Sequence, residues 1–195
     1  VTAATISAHK IGGPLGVAAL ILKRGLDLTP VLHGGGQERE IRSGTLNAPS
    51  IVAFTAAAEY AIANMASNFA KIRELRDYFV AGLKKCVPDV SINSVSDPAL
   101  PGIVNATFPG TESDALLLLL DTEGISASAG SACSAGVPRP SHVLVALGLS
   151  ESDADASLRI SIGTTNTKSE IDQVLAVMPS VVERARNAFV VSELN

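Results

Sequence analysis

In the stretch SAHKIGGPLG, Ser7 to Gly16, a lysine follows a histidine at the mouth of a turn rich in glycine and proline. Lys10 closes a strand-like run, VTAATIS, and leads into Gly12, Gly13 and Pro14, an odd place for a solvated surface charge. An ordinary lysine, with a pKa of about 10.4, is a poor nucleophile at neutral pH. Burial or a neighbouring cation favours the free amine, which a Schiff base with a carbonyl cofactor needs. Ser7 and His9 add hydroxyl and imidazole donors of the kind that hold a phosphate. Spacing alone leaves a functional lysine and an ordinary loop lysine equally open. His9 taken singly reads as a structural histidine.

Three further stretches carry chemistry of their own. HGGGQEREIRSGT, His33 to Thr45, has successive glycines at 34, 35 and 36, which permit backbone approaches that side chains forbid. Its Arg42, Ser43, Gly44 and Thr45 offer a cation, hydroxyls and amides suited to an anion. By itself the loop reads as a glycine-rich connection with a solvated arginine. In SAGSACSAG, Ser128 to Gly136, Cys133 is wrapped in small and polar residues rather than large apolar ones. That context suits an exposed loop, where a thiol acts as a nucleophile once ionised. Cys86, beside Pro88 at the end of a helical pattern, reads as a packing residue. Arg159 interrupts an apolar and small alternation in LRISIGTTNT. It is either a solvated strand arginine or a bidentate clamp for a carboxylate.

The order of these stretches along the chain says more than any one of them. SAHKIGGPLGVAAL, HGGGQE with RSGT, SAGSACSAG and RISIGTTNT closely resemble, in that order, the cysteine desulfurases of the nitrogen-fixation and iron–sulfur-cluster type, which are pyridoxal-phosphate enzymes of the class V aminotransferases. The resemblance implies an aspartate aminotransferase-like α/β fold (fold type I of the pyridoxal-phosphate enzymes). Residues 1–70 would be a partial large, cofactor-binding domain, and 71–195 an α+β small domain with the cysteine loop. Lys10 would carry pyridoxal phosphate and act as base. Ser7 and His9 would bind its phosphate, and Thr45 would reach that phosphate from the other subunit of a homodimer. Arg159 would clamp the carboxylate of L-cysteine, and Cys133 would take its sulfur as a persulfide for a sulfur-acceptor or iron–sulfur scaffold protein. His33 and the three glycines are left as shape-setters. A selenocysteine lyase or related aminotransferase, and an inert fragment that only dimerises or docks an acceptor, are the alternatives. Cys133 favours desulfuration, because transamination needs no such thiol. Ala18 and Glu40 stand where the family commonly has glycine. The ring-stacking residue, the acidic partner of the pyridinium and the first phosphate-binding loop all precede the lysine in the family. The chain opens on Val1 rather than Met and reads as the interior of a longer polypeptide, so weak cofactor binding and little turnover are expected of it alone.

The elements that must position these residues follow from periodicity. VTAATIS and LGVAALIL read as buried strands parted by the lysine turn. From Ile51 to Leu83 apolar residues recur every three or four positions, predicting one long helix of about 50 Å. Short strands VSIN and GIVNATF follow, then a helix in TESDALLLLLDTEG with Thr111 and Asp114 at capping-box spacing. GISASA is a further possible strand, SHVLVALG a helix, and SLRISIG a strand. A last helix opens at Thr167, with Glu170 completing a capping box.

The bulk properties exclude some functions. The 195 residues are 47% hydrophobic and 17% charged, with a net charge of −4, which gives no electrostatic reason to expect nucleic acid or an anionic membrane surface. The apolar run Leu116–Leu120 is far short of the ~20 residues that span a bilayer. No secretory signal opens the chain, so a cytoplasmic setting is expected. The two cysteines are far apart, with no CxxC or Cys/His cluster to suggest a metal site or a disulfide.

Overall fold

The computed structural model describes residues 1–94, 99–129 and 140–193. The chain forms two compact units, Val1–Ala66 and Ser67–Asn195.

In the first unit, strands β1 (Ala3–Ser7) and β2 (Ala18–Leu22) pair antiparallel, with Ala3 opposite Leu22 and Ser7 opposite Ala18. The pairing runs one step further, since the Ala8 N–H donates to the Val17 carbonyl at 3.1 Å. Between the strands a single 3-10 turn, Ala8–Ile11, ends on Gly12 at φ 84°. Glycine is the residue that takes this left-handed conformation without a Cβ penalty. Helix α1 (Ala48–Ala63) starts where the Asn47 side chain accepts from the Ser50 N–H at 3.3 Å. The strands were expected to be buried, yet Ile6, Leu20 and Ile21 are 38%, 48% and 53% exposed. A two-stranded ribbon has nothing to cover both of its faces, and the buried apolar residue of this unit is Ala8.

The expected single long helix is two helices, α1 and α2 (Met65–Cys86), parted at Asn64 (φ −104°, ψ 5°). The apolar track crosses this break unaltered, because periodicity reports which residues share a face and not whether every turn is made. Asn64 ends α1 by turning its own N–H and its side-chain amide onto the Tyr60 carbonyl, at 3.1 and 2.8 Å.

The second unit is built on an antiparallel sheet in the order β3 (Ser91–Ile92), β4 (Ile103–Thr107), β5 (Ser157–Ser161). Its core face is covered by α2, by α3 (Ser113–Thr122) and by α6 (Lys168–Glu193). Phe79 and Leu83 from α2, Val104 and Phe108 at β4, Leu158 from β5 and Met178 from α6 are all at most 1% exposed. Two short helices, α4 (His142–Ala146) and α5 (Glu151–Asp155), lead into β5. The α5 turn was not anticipated; its signal is Ser150, whose hydroxyl accepts from the Asp153 N–H at 3.1 Å. At α6 the expected capping box forms, with Thr167 N–H on Glu170 Oε2 at 2.7 Å and Glu170 N–H on Thr167 Oγ1 at 3.3 Å. At α3 it does not. The Thr111 hydroxyl donates to the Phe108 carbonyl at 2.7 Å, and Glu112 takes the cap position. Of GISASA, Ser128 alone joins a ladder, as an isolated bridge to Arg159.

Candidate active site

Ser7, His9 and Lys10 lie within one turn of backbone in the first unit. Ala8 is fully buried and fixes that turn, while Ser7 is half-buried and His9 and Lys10 are exposed. Gly13 closes the turn through its N–H to the Ala8 carbonyl at 2.9 Å. A Cβ added at Gly13 would lie 3.0 Å from the Ala8 methyl and 3.3 Å from that of Ala57 on α1. The absence of a side chain thus lets the lysine turn pack on the helix, and Ala8 points inward so that its two neighbours point out. Within this unit the lysine is not sunk in the apolar surroundings expected from its place after a strand. The hydroxyl, imidazole and amine on one tight turn are nonetheless the kinds of group that a phosphorylated aldehyde requires.

The loop that ends at Thr45 is shaped by its glycines, as expected of them, and by Gln37, which the sequence reading passed over. Gln37 folds back so that its Oε1 accepts from the Gly44 N–H at 2.9 Å. A Cβ on Gly35 would stand 3.0 Å from the Gln37 amide nitrogen, and one on Gly34 would stand 3.4 Å from the Ser43 Cβ. Ser43, 5% exposed, is tied by its N–H to the Leu32 carbonyl at 3.2 Å, and Leu32 and Arg42 pair as a parallel bridge. Arg42 Nη1 donates to the Ser43 carbonyl at 3.3 Å. These bonds leave Thr45 exposed just past the Gly44 bend, where φ is 113°. Glu38, Arg39 and Glu40 all sit at positive φ, 52°, 58° and 64°. A left-handed conformation costs a non-glycine residue about 1–2 kcal/mol. Glu40, which stands where glycine is commonly found in the resembling family, takes a backbone conformation that glycine adopts freely.

Arg159 belongs to the second unit. It sits in β5 on the face turned away from the core, and it is exposed. Its backbone is held on one side by Ser128, with Arg159 N–H to Ser128 carbonyl at 2.7 Å and the reciprocal bond at 3.1 Å. On the other side its register partner is Asn105 of β4. An open groove of about 750 Å³ borders β5 and α6, with Phe79 and Met178 in its lining, and Arg159 does not line it.

Cys133 lies outside the described residues. Cys86 is half-buried; its Sγ contacts the Leu83 carbonyl at 3.6 Å, and burial pushes the thiol above its ordinary value. That agrees with a packing role. Among the described residues no group of histidine, cysteine and acidic side chains is arranged to hold a metal ion, and no helix is long and apolar enough to cross a membrane.

The family model for the class V aminotransferases matches residues 1–174. An IscS-like cysteine desulfurase of Mycobacterium tuberculosis is 47% identical over 188 residues, which are 96% of this chain and 48% of that protein. Among solved structures, a NifS-like protein from Rickettsia africae superposes with a TM-score of 0.82 at 37% identity, covering 94% of this chain and 48% of the other. SspA, solved in complex with cysteine, gives a TM-score of 0.60 at 32% identity, over 86% of this chain and 45% of its own. The chain thus shares the fold of the NifS-like proteins and spans about half the length of the curated relatives it matches.

Proposed function

Since the chain belongs to the class V aminotransferase family, we propose that it is part of a cysteine desulfurase, converting L-cysteine to L-alanine and a protein-bound persulfide. The observation that carries this reading is the gathering of Ser7, His9 and Lys10 on one turn anchored by buried Ala8. Lys10 would hold pyridoxal phosphate through its amine, Ser7 and His9 would donate to the phosphate, and Thr45 would serve the phosphate of the partner subunit in a homodimer. When bound, the cofactor supplies a ring that draws electrons away from the substrate Cα. Lys10 would serve as the base that takes the Cα proton. Arg159 orients the substrate by a two-pronged grip on its carboxylate. Cys133, as thiolate, would attack the substrate sulfur; the S–S bond forms as the Cβ–S bond breaks, the electron pair stays with the carbon fragment, and that fragment takes a proton at Cβ and regains one at Cα to leave as alanine, with persulfide on the chain. Residues 1–70 are then part of the large cofactor-binding domain, and 71–195 the small domain. The persulfide passes to a sulfur-acceptor or iron–sulfur scaffold protein in the cytoplasm.

Borohydride trapping of the full-length protein with pyridoxal phosphate tests the lysine. The adduct is expected on Lys10 in a peptide map and absent from Lys10→Ala; labelling spread over other lysines, unchanged in that variant, removes the assignment. In the full-length protein, Cys133→Ser is expected to abolish persulfide formation. Alanine release at an undiminished rate in that variant refutes the desulfurase mechanism.

A further inference from the structure

The sheet face opposite the core of the second unit carries a polar row across neighbouring segments: Asn93, Asn105, Arg159 and Ser128. Residues paired across an antiparallel ladder share a face, so these side chains rise on the same side. Arg159 turns both backbone groups towards Ser128. Its pairing with Asn105 is therefore of the non-hydrogen-bonded kind, in which Cα atoms come within about 4.5 Å and side chains stand closest. Asn105 likewise turns its backbone the other way: its carbonyl accepts from Asn93 N–H and its N–H donates to Ser94 Oγ, both at 2.8 Å.

The Asn105 carboxamide is held at both ends. Its Nδ2 donates to the carbonyl of Leu158, the residue before the arginine, at 3.3 Å. Its Oδ1 accepts from Asn93 Nδ2 at 2.7 Å. Asn93 Nδ2 also donates to Thr107 Oγ1 at 2.7 Å; Thr107 and Ser157 hydroxyls bond at 2.7 Å, and Ser157 Oγ donates to the Asp153 carbonyl at 2.6 Å. Among the described residues no buried side-chain polar atom lacks a partner. Apolar cross-strand pairs would hold the register of such a sheet as well. What a locked amide adds is a wall of fixed orientation beside one particular side chain. Arginine is long and rich in rotamers, and a two-pronged grip on a carboxylate demands one orientation of its planar fork.

We propose that Asn105 is a positioning residue for Arg159, its carboxamide, locked by Asn93 and by the Leu158 carbonyl, aligning the guanidinium for a substrate carboxylate. This rests on the reading of Arg159 as the carboxylate clamp. The test measures binding to the full-length, cofactor-loaded protein of L-alanine and of L-alaninamide, which keeps the amine and lacks the anionic carboxylate. Asn105→Ala is expected to weaken L-alanine about tenfold while leaving L-alaninamide unchanged, and to add nothing in an Arg159→Ala background. If Arg159→Ala weakens L-alanine but Asn105→Ala spares it, or weakens both ligands alike, the positioning role is overturned. If Arg159→Ala itself leaves L-alanine untouched, the clamp reading fails and takes this proposal with it. Should Asn105→Ala not fold, Asn93→Ala removes the donor to Oδ1 and is expected to act in the same direction. Without ligand, ¹⁵N relaxation of the Arg159 Nε–H in the 195-residue chain is expected to lose order in either asparagine variant; unchanged order overturns the proposal.

Discussion

Lys10 owes its place to its neighbours. Ala8 is the inward residue of the turn, Gly12 supplies the left-handed bend, and Gly13 allows the approach to Ala57. The residue types were legible in the sequence because lysine, histidine and paired glycines are distinctive; the exposure was not, since an apolar run does not say whether anything covers it. The same holds at Glu40, where a departure from glycine stands out in the sequence and its φ of 64° comes only from the structure. Glu40→Gly is expected to stabilise the loop by about 1 kcal/mol, read as slower proteolytic cleavage within residues 37–41. Faster cleavage would show that glycine's freedom in the open state outweighs the strain relieved. Gln37 was missed because a polar side chain that caps a backbone N–H seven residues on leaves no periodic signal.

Helix ends and close crossings decide the elements. Thr167→Ala removes the hydroxyl half of the α6 capping box and is expected to cost about 1 kcal/mol, visible as a lower urea midpoint by circular dichroism. Thr111→Ala leaves no comparable α3 cap to lose, because that hydroxyl bonds back to Phe108. The two spacings look alike in the sequence, and only the path of the preceding chain separates them. At Gly102 an added Cβ would collide with the Ile162 carbonyl, whose N–H is already bonded to the Gly102 carbonyl at 2.8 Å. Gly102→Ala is therefore expected to destabilise the second unit by about 2 kcal/mol, measured in the same urea series.

Three exposed carboxyls tie these elements electrostatically. Bonding to the Arg186 side chain holds Asp89 below its ordinary value, bonding to the Thr167 backbone does so for Glu170, and the Tyr78 hydroxyl, with Lys168, does so for Asp172. A carboxyl depressed in the folded state binds its proton more tightly once unfolded. Its contribution is complete above the ordinary carboxylate range, about pH 4, and drains away as pH falls further. Lys168, raised chiefly by its bond to Tyr78, contributes fully below the ordinary lysine range and loses that contribution as pH rises through its elevated value. Asp172→Asn is expected to lower the neutral plateau slightly and so flatten the acid limb of the stability curve, the two proteins converging at low pH. The groups are solvent-exposed and salt weakens such pairs, so the difference should shrink in high salt.

The whole molecule divides its stability unevenly. The second unit has a continuous core from three helices and a sheet, whereas the first buries Ala8 and leaves α1 without a buried residue. Local opening free energy follows buried apolar contact. Amide exchange of the 195-residue chain is expected to leave β4, β5 and the middle of α6 protected longest, with β1 and β2 exchanging orders of magnitude sooner; uniform protection would contradict this division.

Motif order and residue chemistry, which are local, were enough to point to a lysine turn, an anion-suited loop, a cysteine in a small-residue context and a strand arginine, and to place them in a family. Periodicity was enough for most strands and helices. Tertiary structure alone decided that the long apolar track breaks at Asn64, that the hairpin strands are exposed, and that Asn105 is the register partner of Arg159. The reason is that burial, pairing register and hydrogen-bond competition depend on residues far away in the chain, and no local pattern encodes who those neighbours are.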